Sequence, residues 1–265
     1  MGEIMRILLK LSITIAVIIT SSLVNAAEDS GLTVVPGIDF GFKQSGNYVT
    51  ANGSPLPYTV SPNYLTLISS IAIAYGKVYV SMSYDTPLTE SHTVFNVPDA
   101  KPDPMYSDRA YNRNETTLTL GYRLLPALSV FTGYLKGESK IRQVDYKYVS
   151  GVWKPEPKEI AFDGAGYFAG LSTNYSFDSK GTIALSAAYA SMEGTQTTLD
   201  GLQNPMILKS QSASGYSTSL SWSGPMSESV FYQLGFRYAK YTYNFTNLTI
   251  EEPVRGFTFG VRKYF

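Results

Sequence analysis

From Thr33 to the C-terminus the sequence repeats one pattern. Apolar and aromatic residues occupy every second position in short runs, and clusters of Gly, Pro, Asn, Asp and Ser separate the runs. A period of two sends alternate side chains to opposite faces of an extended chain, so each bounded run reads as a β-strand. Ten such runs occur: 33–43, 64–75, 77–84, 115–123, 127–136, 160–177, 182–190, 215–223, 230–245 and 256–265. Helix signals are almost absent. The apolar faces are large, as in Ile38, Phe40 and Phe42, or Leu118, Leu120 and Tyr122. The opposite faces are small and weakly polar, as in Thr182, Ala184, Ser186 and Ala188, or Ser217, Ser219 and Ser221.

These two faces decide between the architectures that alternating strands can form. In a water-soluble sandwich the apolar faces meet in a core and the outer faces carry many charged residues. Here the charged fraction is 16%, against 21 tyrosines and 13 phenylalanines, whereas about a quarter charged is usual for a soluble domain. Small side chains on the second face suit the crowded inside of a barrel, with lipid covering the aromatic side. The connections point the same way. Short ones fall at Gly76, at Leu125-Pro126, at 178–181 and at 223–228. Long ones run from 45 to 63, 85 to 114, 136 to 159 and 191 to 214, with a lesser one from 247 to 253. Short turns on one side and long loops on the other characterise transmembrane barrels. The expectation is an all-β, closed, antiparallel, up-and-down transmembrane barrel of ten strands, or of eight or twelve if a marginal run is miscounted. Closure is required because an open edge in hydrocarbon would leave backbone groups unpaired. Aromatic residues at the belts follow from the same reading: Tyr75, Tyr84, Tyr122, Tyr175, Phe177 and Trp222, all placed beside short turns.

Residues 1–26 have the layout of a secretory signal peptide. Arg6 and Lys10 precede the apolar stretch 11–19, and Val24 and Ala26 stand three and one residues before a cut at Ala27. The apolar stretch is too short for a spanning helix of about twenty residues. Residues 27–265 then form one domain. It has no cysteine, so disulfides contribute nothing to its stability. Acidic residues exceed basic ones by one after cleavage, which leaves no basic footprint for nucleic acid.

The signal peptide, the alternating strands, the short and long connections and the terminal "FTFGVRKYF" together resemble the bacterial outer-membrane β-barrel family. The resemblance covers the whole mature chain and implies residence in the outer membrane. It also implies that a last strand bearing Phe257, Phe259, Val261 and Phe265 is the signal read by the barrel-assembly machinery. Lys263 stands where the family often has Tyr, with Tyr264 beside it.

The resemblance is to an architecture, which does not itself give a function. Some small barrels of this class are enzymes that combine Asp with His or His with Ser. The single histidine, His92, has Ser91, Ser83, Asp85 and Asp99 near it in sequence, but no spacing that builds a nucleophile, base and orienter. It reads as a solvated loop histidine, and no cofactor is implied. Asp99, Asp103 and Asp108 could gather calcium through oxygen ligands, but a plain acidic loop is the simpler reading. The stretch 140–158 reads as a hairpin rising above the membrane. Charges expected to face the lumen are Asp39, Lys43, Arg123, Arg237 and Arg262. Asp39 and Arg237 fall at similar depth, so a salt bridge between them across the closing seam is expected. Phe131, Leu135, Phe231 and Tyr264 are expected to fill the lumen opposite a wall of Gly, Ala and Ser. The functional expectation is a monomeric, non-enzymatic barrel that passes small solutes narrowly or is structural. The alternative is an adhesin or receptor that binds ligands through its long loops.

Overall fold

The computed structural model describes residues 31–51, 54–55, 62–97, 105–149, 152–177, 180–200 and 205–265. The expected signal peptide and Asp99 and Asp103 lie outside these residues. The strands are β1 (Leu32–Ser45), β2 (Tyr48–Ala51), β3 (Ser54–Pro55), β4 (Asn63–Tyr75), β5 (Val78–Pro87), β6 (Ser91–Val97) and β7 (Met105–Leu125). They continue with β8 (Leu128–Val149), β9 (Val152–Ser176), β10 (Thr182–Asp200), β11 (Met206–Lys209), β12 (Ser212–Pro225), β13 (Val230–Asn244) and β14 (Leu248–Lys263).

Ten of these form an antiparallel ring in the order β1-β4-β5-β7-β8-β9-β10-β12-β13-β14, and β14 pairs back with β1. The closing seam aligns Phe42 with Phe257, Phe40 with Phe259 and Ile38 with Val261. The terminal residue is held by the same seam. Phe265 N–H donates to the Val34 carbonyl (3.0 Å), and Val34 N–H donates to the Phe265 carbonyl (3.2 Å). A final aromatic strand therefore has a structural task, which is to supply the backbone groups that remove both sheet edges.

Side-chain alternation sorts as the period of two requires. Phe40, Phe42, Leu118, Leu120, Tyr167, Leu171, Tyr189, Phe257, Phe259, Val261 and Phe265 point outward and are exposed. Gly76 (φ 56°) opens the β4–β5 turn and Gly181 (φ 122°) precedes β10, both in backbone regions that favour glycine.

The four other strands are continuations. β6 runs along β7 beyond the end of β5, β11 runs along β10 beyond the end of β12, and β2 runs along β14 beyond the end of β1. β3 pairs with β2. The long connections are therefore largely strand, not loop. β9 has 25 residues, whereas about 9–11 tilted residues cross a bilayer. The reason the sequence underreports them is physical. Above the bilayer neither face meets hydrocarbon, so these segments lack the aromatic alternation that marks the lower strands. The stretch from 140 to 158 does form the expected hairpin, with β8 pairing β9 up to Val149 and Val152.

One belt residue needs correcting. Tyr75, Tyr122, Tyr175, Phe177 and Trp222 lie near short turns on the outer face. Tyr84 does not, because β5 rises from the Gly76 turn and Tyr84 sits near its far end, where its hydroxyl donates to Asn114 (3.5 Å).

Inside, two kinds of packing are stacked. Tyr111, Ile141, Phe162, Met192, Ala213, Tyr243, Phe245 and Ile250 form a buried apolar cluster from the upper strand regions. Below it charged and hydroxyl side chains share the interior with further members of the same cluster, among them Tyr79, Phe131, Leu135 and Phe168.

Candidate functional site: a lumen bridged by charges

The ring order sets which side chains can meet across the barrel. β7 and β13 stand five places apart in a ring of ten, so they face each other, and so do β8 and β14. Glu115 on β7 accepts hydrogen bonds from Arg237 on β13 (2.5 Å) and from Tyr241 on β13 (3.2 Å). Arg237 also donates to the Tyr241 hydroxyl (3.2 Å). Glu252 on β14 accepts from Ser139 on β8 (2.5 Å), from Arg113 on β7 (2.5 Å) and from Tyr111 on β7 (3.0 Å). These contacts span the lumen.

Further bonds join the two bridges into one lattice. Arg113 lies between them. It donates to Glu115 (3.2 Å) and Ser139 (2.9 Å), and its guanidinium sits 5.0 Å from the Tyr241 ring centre. Ser45 on β1 is hydrogen-bonded to Tyr111 (2.7 Å). Next to this, Lys43 on β1 forms an ion pair with Asp85 on β5, which also accepts from Thr66 on β4. Three cations, Lys43, Arg113 and Arg237, are matched by three carboxylates, Asp85, Glu115 and Glu252. Arg113 and Glu252 are almost wholly buried. Burying charge is tolerable only where it is paired and hydrogen-bonded, and this lattice meets that condition. Its depth is marked by outward neighbours on the same strands. There the lipid-facing series Phe42, Phe236 and Phe257 gives way to Gln44, Lys240 and Arg255.

Beneath the lattice lies a cavity of about 90 Å³. Phe131, Leu135 and Phe168 form one wall, and Ser186, Ala188, Ser217 and Ser219 form another. Bulky residues do face a wall of small ones as expected, while Phe231 and Tyr264 meet edge to face (4.7 Å between ring centres). Near the short turns, Arg262 on β14 pairs with Asp39 on β1 (2.5 Å), both almost fully buried.

All five charges expected in the lumen face inward, and Asp39, Lys43, Arg123 and Arg262 are buried. Their partnerships differ from the expectation in one respect. Asp39 does bridge the closing seam, but to Arg262, two residues past its register partner Gly260 on the adjacent strand. Arg237 is drawn instead to Glu115 on the opposite wall. Asp85, Arg113, Glu115 and Glu252 were missed as lumen residues. They lie at or beyond the ends of the readable alternation, and pairing across a barrel leaves no trace in local sequence.

The histidine stands apart. His92 is exposed on β6, and its Nδ1 is 3.9 Å from Asp108 on β7, beyond hydrogen-bond distance. Asp85, one of its sequence neighbours, is committed to Lys43 and Thr66 inside the barrel. Among the described residues no group of three or more His, Asp or Glu side chains is placed to hold a metal ion.

A comparison with solved structures finds the same architecture. The outer-membrane protease OmpT from Escherichia coli is similar with a TM-score of 0.62, at 12% identity, over 88% of this chain and 97% of that one. The chain has the fold of an outer-membrane β-barrel. The Pseudomonas putida toluene transporter TodX (TM-score 0.38, 12% identity, 92% of this chain and 91% of that one) also matches. So does Neisserial surface protein A (TM-score 0.37, 14% identity, 88% and 97%). No protein-family profile matches the sequence, and no curated protein does. At 12% identity the barrel is what is shared with the protease.

Proposed function

We propose that this protein is a sealed, non-catalytic barrel of the bacterial outer membrane that acts through its outer strand extensions, as a surface receptor or adhesive scaffold. The observation that carries this reading is the pair of bridges across the lumen, Glu115 to Arg237 and Ser139 to Glu252. A solute path would have to break a buried, charge-balanced lattice, which favours a closed barrel over the narrow conduit. The extensions supply the working surface. β7, β8, β9 and β10 rise well above the lipid-facing belt, flanked by β6 and β11, and the tip of the β8–β9 hairpin exposes Val152 and Trp153. Export by residues 1–26, insertion by the barrel-assembly machinery and a monomeric state belong to the same proposal.

Reconstitution into planar bilayers tests it. The wild type should give no unit conductance steps, while E115A/R237A, which removes one bridge, should give small ones. Regular steps from the wild type would restore the conduit. Cleavage of an unfolded protein substrate that is lost in His92→Ala would establish the enzymatic alternative.

A further inference from the structure

We propose that the outer wall formed by β13, β14 and β1 holds the phosphate of an anionic lipid headgroup. This rests on the reading that the outward aromatic face meets lipid. Two lateral rows cross these three strands. In the lower row Phe42, Phe257 and Phe236 are register partners, and the Phe236 and Phe257 rings lie 5.0 Å apart. Two residues further out, Gln44, Arg255 and Tyr238 are register partners in turn. Acyl chains that cover the first row put their headgroup at the second.

At that level the wall is concave. A cavity of about 310 Å³ is lined by Gln44, Tyr48, Tyr238, Lys240, Glu251 and Arg255, among others. The hollow arises where the chain turns out of β1 at Gly46. Its N–H donates to the Pro253 carbonyl (2.7 Å), and a β-carbon there would lie 2.8 Å from the Tyr48 ring.

The charges suit an anion. Arg255 gives its Nε–H to the Gln44 side-chain oxygen (2.7 Å), a bond that orients the guanidinium and uses one of its three nitrogens. Lys240 pairs with Glu251 (2.7 Å). Two cations against one carboxylate leave the hollow one positive charge in excess. A planar guanidinium matches phosphate oxygens in pairs, and long cationic side chains reach headgroups from the edge of an apolar belt. The far wall differs. Beyond the outward Tyr134, Tyr167 and Tyr189 of β8, β9 and β10, the lysines Lys136 and Lys140 are outweighed by Glu138, Asp163 and Glu193. An anionic headgroup is therefore favoured on one side of the barrel.

The test is a titration of the folded full-length barrel in detergent, read by native mass spectrometry. The probes are dioctanoyl phosphatidic acid, dioctanoyl phosphatidylcholine and inorganic phosphate. Phosphatidic acid should bind most tightly. Arg255→Ala and Lys240→Ala should each weaken it about fivefold, and Glu251→Gln should strengthen it by about the same factor. Equal binding by wild type and R255A/K240A overturns the proposal. Displacement of the lipid by an equal concentration of inorganic phosphate also overturns it, because the site would then take the free ion. A separate measurement isolates the underlying reading. In a Trp153→Phe background, brominated lipid in vesicles should quench Trp222. Quenching without phosphatidic acid selectivity removes the headgroup site alone, and absence of quenching removes the membrane reading.

Discussion

Replacing Glu115 with alanine tests the lattice most directly. The mutation removes one of three carboxylates that balance Lys43, Arg113 and Arg237, so the interior gains one uncompensated positive charge. Arg113 keeps Glu252 at 2.5 Å, but Arg237 loses its only carboxylate partner among the described contacts. Breaking a buried pair from one side costs about 3–5 kcal/mol. Arg237 is 30% exposed toward the cavity, which places the expected cost near the lower end, about 3 kcal/mol or roughly a hundredfold in the folding equilibrium. Arg237→Ala should cost less, about 1–2 kcal/mol, because Glu115 retains Arg113 and Tyr241. The double variant should be less destabilised than the sum by about 1–3 kcal/mol, since the two residues share one interaction. Urea titration in lipid vesicles, followed by tryptophan emission, measures these differences as shifts in midpoint at constant slope. A Glu115→Ala midpoint within about 0.5 kcal/mol of wild type, or strict additivity of the two single variants, would refute the account of the lattice as a connected, charge-balanced unit.

Three further outcomes are expected. Asp39→Asn should cost about 3 kcal/mol or more in the same titration, because Arg262 is 1% exposed and the pair joins the first and last strands of the ring. Gly121→Ala should destabilise by about 1–3 kcal/mol, because the new methyl group would lie 1.9 Å from the Tyr79 ring, which is itself buried. Asp163 stands opposite Glu138 above the belt, and partial burial with this like charge raises its pKa above the ordinary carboxylate value. A raised folded-state pKa penalises the charged form, so Asp163→Asn should stabilise the protein at neutral pH by about 0.2–1 kcal/mol. That gain should fade as the pH falls through the raised folded-state value and be gone below the unfolded value of about 3.9, where both states are protonated; a gain independent of pH would contradict it.

The sequence by itself determined the lipid-spanning portions of the ten ring strands and the solvent each of their faces meets. Ile38, Phe40 and Phe42, or Phe257, Phe259 and Val261, can alternate with small residues only where one side is lipid and the other a crowded lumen, because a strand has a period of two and lipid covers one side. The parity of short and long connections then gave the direction of each strand. Closure decided the rest. Glu115 meets Arg237, and Ser139 meets Glu252, because a ten-membered ring sets β7 against β13 and β8 against β14. Such pairs are separated by more than a hundred residues, and each member reads locally as an ordinary polar residue near a strand end. The hollow around Arg255 depends likewise on the seam, which aligns Gln44 with Arg255 only when the last strand returns to the first. Periodicity is a property of neighbours along the chain, whereas a transverse contact is a property of the closed circuit, so only the tertiary structure could assign it.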